Sequence, residues 1–480
     1  MLPRGQTFLR DRCVPRRGDP PERDLSPPGS RAFDAYKTWG SIAGRMEFPD
    51  RSFVEGLVDP QPLPTFHRIE THPDVETLAD PAAVARHEIR RLPLDRLTPG
   101  DTVAVGVGSR GIASIDELVV AVVDELEARG FEPVLVPAMG SHGGATAEGQ
   151  RSVLEAIGIT EERTGAPIDA RMDVDRIATV DVAGATTPVY VAEAALEADG
   201  LVVINRVKPY TNFTGRIESG LCKMLAVGLG KQPGANAFHS TAIDRGYVET
   251  IETFVEAIRE STPLLGGIAI VENTHEEVAT LEAVQAGELF DREPDLLERA
   301  REEMATLPVD ELDLLVVDEI GKDISGAGMD TNVIGRYRVL NAPDPETPAI
   351  DLIYVRGLTK ATKGNGNGIG LADLTRKAAV DELDLHTVYA NAITSGSLAK
   401  AMLPVVAPDD ETAIHTATGA LGAYDPESAR IAWIENTAEL EELRVSPAVV
   451  AELDDESVTV HARERLAFEN GEARFEAVDE

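Results

Sequence analysis

The sequence predicts an α/β fold of two domains, each built on a mainly parallel sheet. Three observations carry that expectation. Runs of aliphatic residues with strand character alternate with amphipathic helical stretches from about residue 100 onward, and a crossover helix between strands makes them parallel. The apolar fraction is 43% with only 5% aromatics, so the cores are made of Val, Leu, Ile and Ala, as in strands covered by helices on both faces. At 480 residues the chain is long enough for two or three such cores.

Residues 1–45 stand apart. They hold nine basic and five acidic residues with six prolines and no periodicity, so they read as a disordered tail, or as an extension upstream of a start at Met46. Asp101–Gly108 reads as a buried strand. Ile115–Arg129 has apolar positions at helical spacing, and Phe131–Ala138 follows Gly130 as a second strand, which completes a βαβ unit. Further strands are expected at Thr179–Val182, Val189–Val191 and Gly200–Asn205, and helices near Ala147–Ile157 and Tyr247–Glu260. Residues 46–260 then form the N-terminal domain.

The alternation resumes in a second α/β domain over 261–440. Gly267–Val271, Leu312–Val317 and Asp351–Val355 read as strands, Glu293–Met304 as an exposed helix, and Asp373–Leu383 as a helix after the Gly/Asn-rich loop Gly364–Gly370. Residues 441–480 are acidic and poor in apolar side chains, so they are expected to fray.

Charge excludes some functions. Against 45 basic residues stand 83 acidic ones, a formal net charge of -38, which disfavours nucleic acid and anionic membrane as partners. Only nine of the basic residues are Lys. That acidic, lysine-poor surface resembles halophilic proteins, where salt screens self-repulsion. Two cysteines in unlike contexts give no disulfide framework. With no apolar run of 18 residues the expectation is a cytoplasmic enzyme.

Several motifs lie where strands end. Gly106-Val-Gly108-Ser109-Arg110-Gly111 satisfies G-x-G-x-x-G between a strand and a helix, yet the second strand lacks the acidic residue that a dinucleotide-binding unit needs. What the turn offers is backbone N–H groups and Arg110, suited to a carboxylate; a surface Arg capping the next helix is the alternative. His142, flanked by glycines after the second strand, is placed for proton transfer, or for bonding its own turn.

Asn205–Ser240 is the richest stretch. A polar loop carries Arg206, Lys208, Tyr210 and Arg216. A helix expected from Ile217 puts Ser219, Cys222 and Lys223 near one face. Lys223 sits among Leu, Met, Ala and Val, and partial desolvation would make its amine a nucleophile or covalent anchor; a snorkelling Lys is the alternative. Gly230-Lys231 fails as a P-loop, since Leu225 and Gln232 stand where Gly and Ser/Thr are required. Lys322 and Ser325–Asn332 form a glycine-rich turn that could face the same cleft.

Together, the Arg110 turn, the His142 loop, the apolar helix with Lys223 and the ANAFHS segment ending at Ser240 resemble the nickel-dependent lactate racemase family. The likeness covers residues 100–245 and, more loosely, the chain to about 435. It implies an active site in the cleft between domains. Lys223 would be joined to a nickel-pincer mononucleotide of the pyridinium bis-thiocarboxylate type, and His239, sixteen positions later, would ligate the nickel. Gly108, Ser109 and Lys208 would contact the cofactor, His142 would act as a base, and Arg110 would hold the carboxylate of a small 2-hydroxy acid. Where the family carries a second catalytic His, this chain reads Lys208-Pro209-Tyr210-Thr211, so Tyr210 takes that role by position. A Schiff-base lysine enzyme and a non-catalytic binding homologue stay open, as does homo-oligomerisation.

Overall fold

The computed structural model describes residues 47–109, 111–454 and 457–478. The expected tail over 1–45 and the Met46 start lie outside them. The fold is mixed α/β with large, mainly parallel sheets.

The first sheet takes five strands: β2 (Thr102–Val107), β3 (Glu132–Pro137), β6 (Gly200–Arg206), β7 (Leu264–Glu272) and β8 (Val278–Gln285). Their order is β3-β2-β6-β7-β8; the first four run parallel, and β8 pairs antiparallel with β7. Every position of β7 is buried, as a strand covered on both faces requires. Alternate side chains feed two cores. Val103, Val105, Val202 and Ile268 meet the Ile115–Ala128 helix, while Ala104, Leu201, Val203 and Ala269 meet Leu221, Leu225, Phe238 and Phe254. Because the strands are parallel, the turns after β2, β3 and β6 emerge at one edge. Gly108, Ser109, His142, Lys208 and Tyr210 are therefore gathered at the carboxyl ends of the sheet, where open α/β folds bind ligands.

The second sheet has nine strands: β1 (Thr65–Thr71), β9 (Glu311–Val317), β10 (Ala349–Val355), β11 (Leu374–Arg376), β12 (Val405–Ala407), β13 (Ile431–Ile434), β14 (Glu442–Val445), β15 (Val458–Glu469) and β16 (Glu472–Ala477). Its order is β12-β11-β10-β9-β13-β14-β1-β15-β16. The run from β12 to β13 is parallel; from β14 onward it is antiparallel.

Several expectations need correction. Thr179–Val182 and Val189–Val191 lie in an antiparallel hairpin, β4 (Val174–Val182) with β5 (Ala185–Ala192), which is a sheet of its own; the Gly184 turn is too tight for a crossover. Asp373–Leu383 divides into β11 and a short helix, Lys377–Asp381. The Leu289–Glu303 helix buries Glu293, Leu296, Leu297 and Ala300, so it is an amphipathic covering helix. Residues 441–480 do not fray over their described part: β15 and β16 alternate charged and half-buried apolar residues, and Leu466, Phe468 and Phe475 pack on Trp433 and its neighbours.

Candidate active site

The site is built from three loops and two helices. After β2, Gly108 lets the turn pass close to its neighbours: a Cβ there would sit 3.2 Å from Asn205 Oδ1 and from Met224 Cε. Ser109 follows, and its hydroxyl contacts His142 Nδ1 at 2.5 Å. Arg110 lies outside the described residues.

His142 is exposed on the loop after β3. That loop folds back on itself: Gly143 has φ +65°, and a Cβ there would meet the backbone carbon of Gly149 at 2.4 Å, so only glycine fits. Gln150, fully buried, donates from Nε2 to Gly140 O at 2.8 Å and His142 O at 3.3 Å.

After β6 the chain makes a closed polar loop. Glu218 is 1% exposed, and its carboxylate accepts from Tyr210 N at 2.6 Å, Gly215 N at 2.9 Å and Arg301 Nη2 at 2.6 Å. Lys208 N donates to Ser219 O at 2.8 Å, and Asn205 Nδ2 to Gly220 O at 2.8 Å. With those backbone groups engaged in the loop, the helix starts at Leu221 rather than Ile217. Ser219 thus precedes the helix and shares no helical face with Lys223. The new N-terminus has glycine at its cap position, and Glu293 substitutes from another helix by accepting from Cys222 N at 2.8 Å. Burial pushes the Glu293 carboxyl up to about 7, and burial together with Glu293 pushes the Cys222 thiol well up.

Lys223 is half-buried, with its ammonium over the Tyr210 ring, 2.9 Å from the centroid. Directly after it Met224–Gly228 forms a π turn, a feature common at functional sites. Gly228 ends that turn against β3: its carbonyl accepts from Gly140 N at 3.0 Å, and a Cβ there would be 2.4 Å from Ala138 O.

His239 lies on the Lys231–Arg245 helix, edge-on to Phe238 at 5.4 Å between centroids. It is exposed, with the Phe238 ring against one side. Burial first, and then the Lys223 charge, pull its pKa down to about 4, so the imidazole is neutral at physiological pH.

Lys208 lines a recess of about 170 Å³ with Arg206, Glu272, Asp330, Asn332 and Thr437. A larger one, about 470 Å³, is lined by Asp313, Asp351 and Arg430. These residues lie at the amino ends of the parallel strands or just before them, so that recess is remote from the residues above. Lys322 donates to Asn391 Oδ1 at 3.1 Å. Among the described residues no three or more His, Cys, Asp or Glu side chains cluster as a metal site, and no helix is long and apolar enough to cross a membrane.

Sequence reasoning missed Glu293, Gln150 and Lys400, placed Glu218 on the helix expected from Ile217, and weighed Lys231 only as part of a P-loop that fails. Lys400, buried at 2% exposure, donates to Thr211 O at 3.1 Å and Asn212 Oδ1 at 2.7 Å, beside Tyr210. Thr331 Oγ1 bonds Thr211 O at 3.1 Å, and Tyr337 OH meets Thr214 Oγ1 at 2.8 Å. The only sequence signal for this grip was the rarity of Lys.

Residues 108–331 match a family described as a domain of unknown function, DUF362. No curated protein matches the chain. A Thermotoga maritima protein of known crystal structure is 16% identical, with a TM-score of 0.45 over 75% of this chain and 90% of that one. The lactate racemase apoprotein from Thermoanaerobacterium thermosaccharolyticum is 12% identical, with a TM-score of 0.41 over 77% of this chain and 88% of its own.

Proposed function

We propose that the chain is an isomerase that racemises or epimerises a small 2-hydroxy acid, with a nickel-pincer nucleotide held by Lys223 and His239 in a cleft between two α/β domains. The observation that carries this reading is that the segments bearing Lys223 and His239, sixteen positions apart and joined through a π turn, pack into one core through Leu221, Leu225 and Phe238.

The residues fit such a group. A neutral imidazole has a free lone pair for a metal, and a single protein ligand suits a metal whose other donors come from the tethered nucleotide. Lys223 is half-buried beside Tyr210 with apolar neighbours on its helix, as a covalent anchor requires. When bound, the group would supply a hydride acceptor and donor.

The chain's own residues then do the following. His142, which contacts the Ser109 hydroxyl through Nδ1, would take the substrate hydroxyl proton. Tyr210 serves the opposite face, and the Lys400, Thr331 and Glu218 contacts fix its loop. Arg110 would pair with the substrate carboxylate, and Gly108, Ser109 and Lys208 would border the nucleotide.

The test uses protein from its native host, incubated with single enantiomers of lactate and a panel of larger 2-hydroxy acids and followed by chiral chromatography. Conversion of at least one acid, reduced about 100-fold or more by His142→Ala, is the expected result. Failure to convert any acid, with nickel and the Lys223 adduct present, would overturn the reading.

A further inference from the structure

We propose that Lys231 and Gln150 are positioning residues: a buried ammonium–carboxamide pair that fixes the loop carrying His142 against the helix carrying His239. The proposal rests on the reading of His142 as a base, but its geometry stands independently of it.

Lys231 opens the His239 helix, and both it and Gln150 are 0% exposed. Its backbone has φ +50°, a left-handed conformation that costs a non-glycine residue energy and is kept only where surroundings over-determine it. The ammonium points away from solvent, donating to Pro137 O at 2.8 Å and Gln150 Oε1 at 2.9 Å. Pro137 is the last residue of β3.

Accepting from Lys231 fixes which way the Gln150 amide faces. Its Nε2 is thereby turned toward the loop, where it donates to Gly140 O and His142 O. With the Gly140 N bond to Gly228 O, the segment from 137 to 142 is tied to the end of the π turn, the start of the His239 helix and the Ala147–Ala156 helix. The short Ser109–His142 contact sits at the end of this chain of bonds. Burial lowers the Lys231 pKa to about 8 while Asp169 opposes the shift, so the donor stays largely protonated near neutral pH.

A lysine placed only to fill space would not need two buried acceptors, and a glutamine placed only for packing would not need its amide oriented. The arrangement is a relay of position: charge at Lys231, orientation at Gln150, carbonyl direction at Gly140 and His142.

The test reads His142 directly, on the full chain. Modification of each histidine by diethyl pyrocarbonate is followed by peptide mass spectrometry across pH, alongside the thermal unfolding midpoint. Gln150→Glu keeps an acceptor for Lys231 but puts acceptors opposite the two loop carbonyls; Lys231→Met removes the donor altogether. In Gln150→Glu the His142 modification rate should change at least about threefold. His72 and His386, both exposed, should react as in the wild type, with the unfolding midpoint within about 3 °C. Unchanged His142 reactivity in Gln150→Glu overturns the proposal, as does a change shared by all histidines and matched by loss of stability. If Lys231→Met does not fold, Gln150→Glu alone decides. The readout needs neither substrate nor nickel, so a shifted His142 without racemisation would count against the proposed reaction and leave the positioning role standing.

Discussion

Glu293 is the side chain whose chemistry departs furthest from its sequence appearance. On a charged stretch it reads as a solvated acid, but it is buried at the start of the Lys223 helix with Oε1 unpartnered. Its pKa rises from 4.5 to about 7 through burial. Between those values the folded chain holds a proton that the unfolded chain has released. Its contribution to stability is therefore full below pH 4.5 and is lost as pH rises through 7. Glu293→Gln, an isostere of the protonated acid, should exceed the wild type in stability by up to about 3 kcal/mol near pH 8, with the gap closing near pH 5. Denaturant titrations at the two pH values measure the gap, and a gap independent of pH contradicts the assignment. Lys400→Met should cost about 1–3 kcal/mol by removing the donor to Asn212 Oδ1 and leaving Thr211 O with the Thr331 hydroxyl alone. Limited proteolysis between 207 and 220 should quicken with it. Neither residue was legible in the sequence, because burial of a charge depends on partners 71 and 188 positions away. His142, Lys223 and His239 were legible because their neighbours, glycines in one case and aliphatic residues in another, are local.

At the scale of elements, strands buried on both faces were readable from aliphatic runs, and β2, β3, β6 and the Ile115–Ala128 helix stand close to their expected bounds. The Lys223 helix shows what periodicity misses. Its apolar spacing extends back to Ile217, yet the Asn205 side chain takes Gly220 O, the Lys208 backbone takes the N–H and carbonyl of Ser219, and the helix begins four residues later. The π turn was equally invisible, since it arises where Gly228 fits under Ala138 O. Gly228→Ala should therefore destabilise the fold by about 1–3 kcal/mol through overpacking against backbone. It should also raise amide exchange at Gly140, whose N–H bonds Gly228 O; exchange equal to wild type would show that the contact is not made.

Across the whole molecule, an excess of 38 negative charges on 480 residues means self-repulsion works against the compact state. Salt in place of the missing counter-charge should raise the unfolding midpoint steadily from about 0.1 M to about 1 M KCl. A midpoint that falls over that range would mean exposed ion pairs outweigh repulsion. The long-range pairing of β1 with β14 and β15, across more than 370 residues, had no signal in local composition, as is general for strands whose partner lies at the other end of a chain. The packing of the Lys223 helix and the His239 helix on one face of the five-stranded sheet is what the functional reading needs from the molecule as a unit. Intact mass spectrometry with nickel quantitation, on protein purified from its native host, tests it most directly. The expected result is a covalent adduct mapped to Lys223 with about one nickel per chain, and loss of nickel but not of the adduct in His239→Ala. An unmodified Lys223 in nickel-free protein from cells that make the cofactor would contradict it.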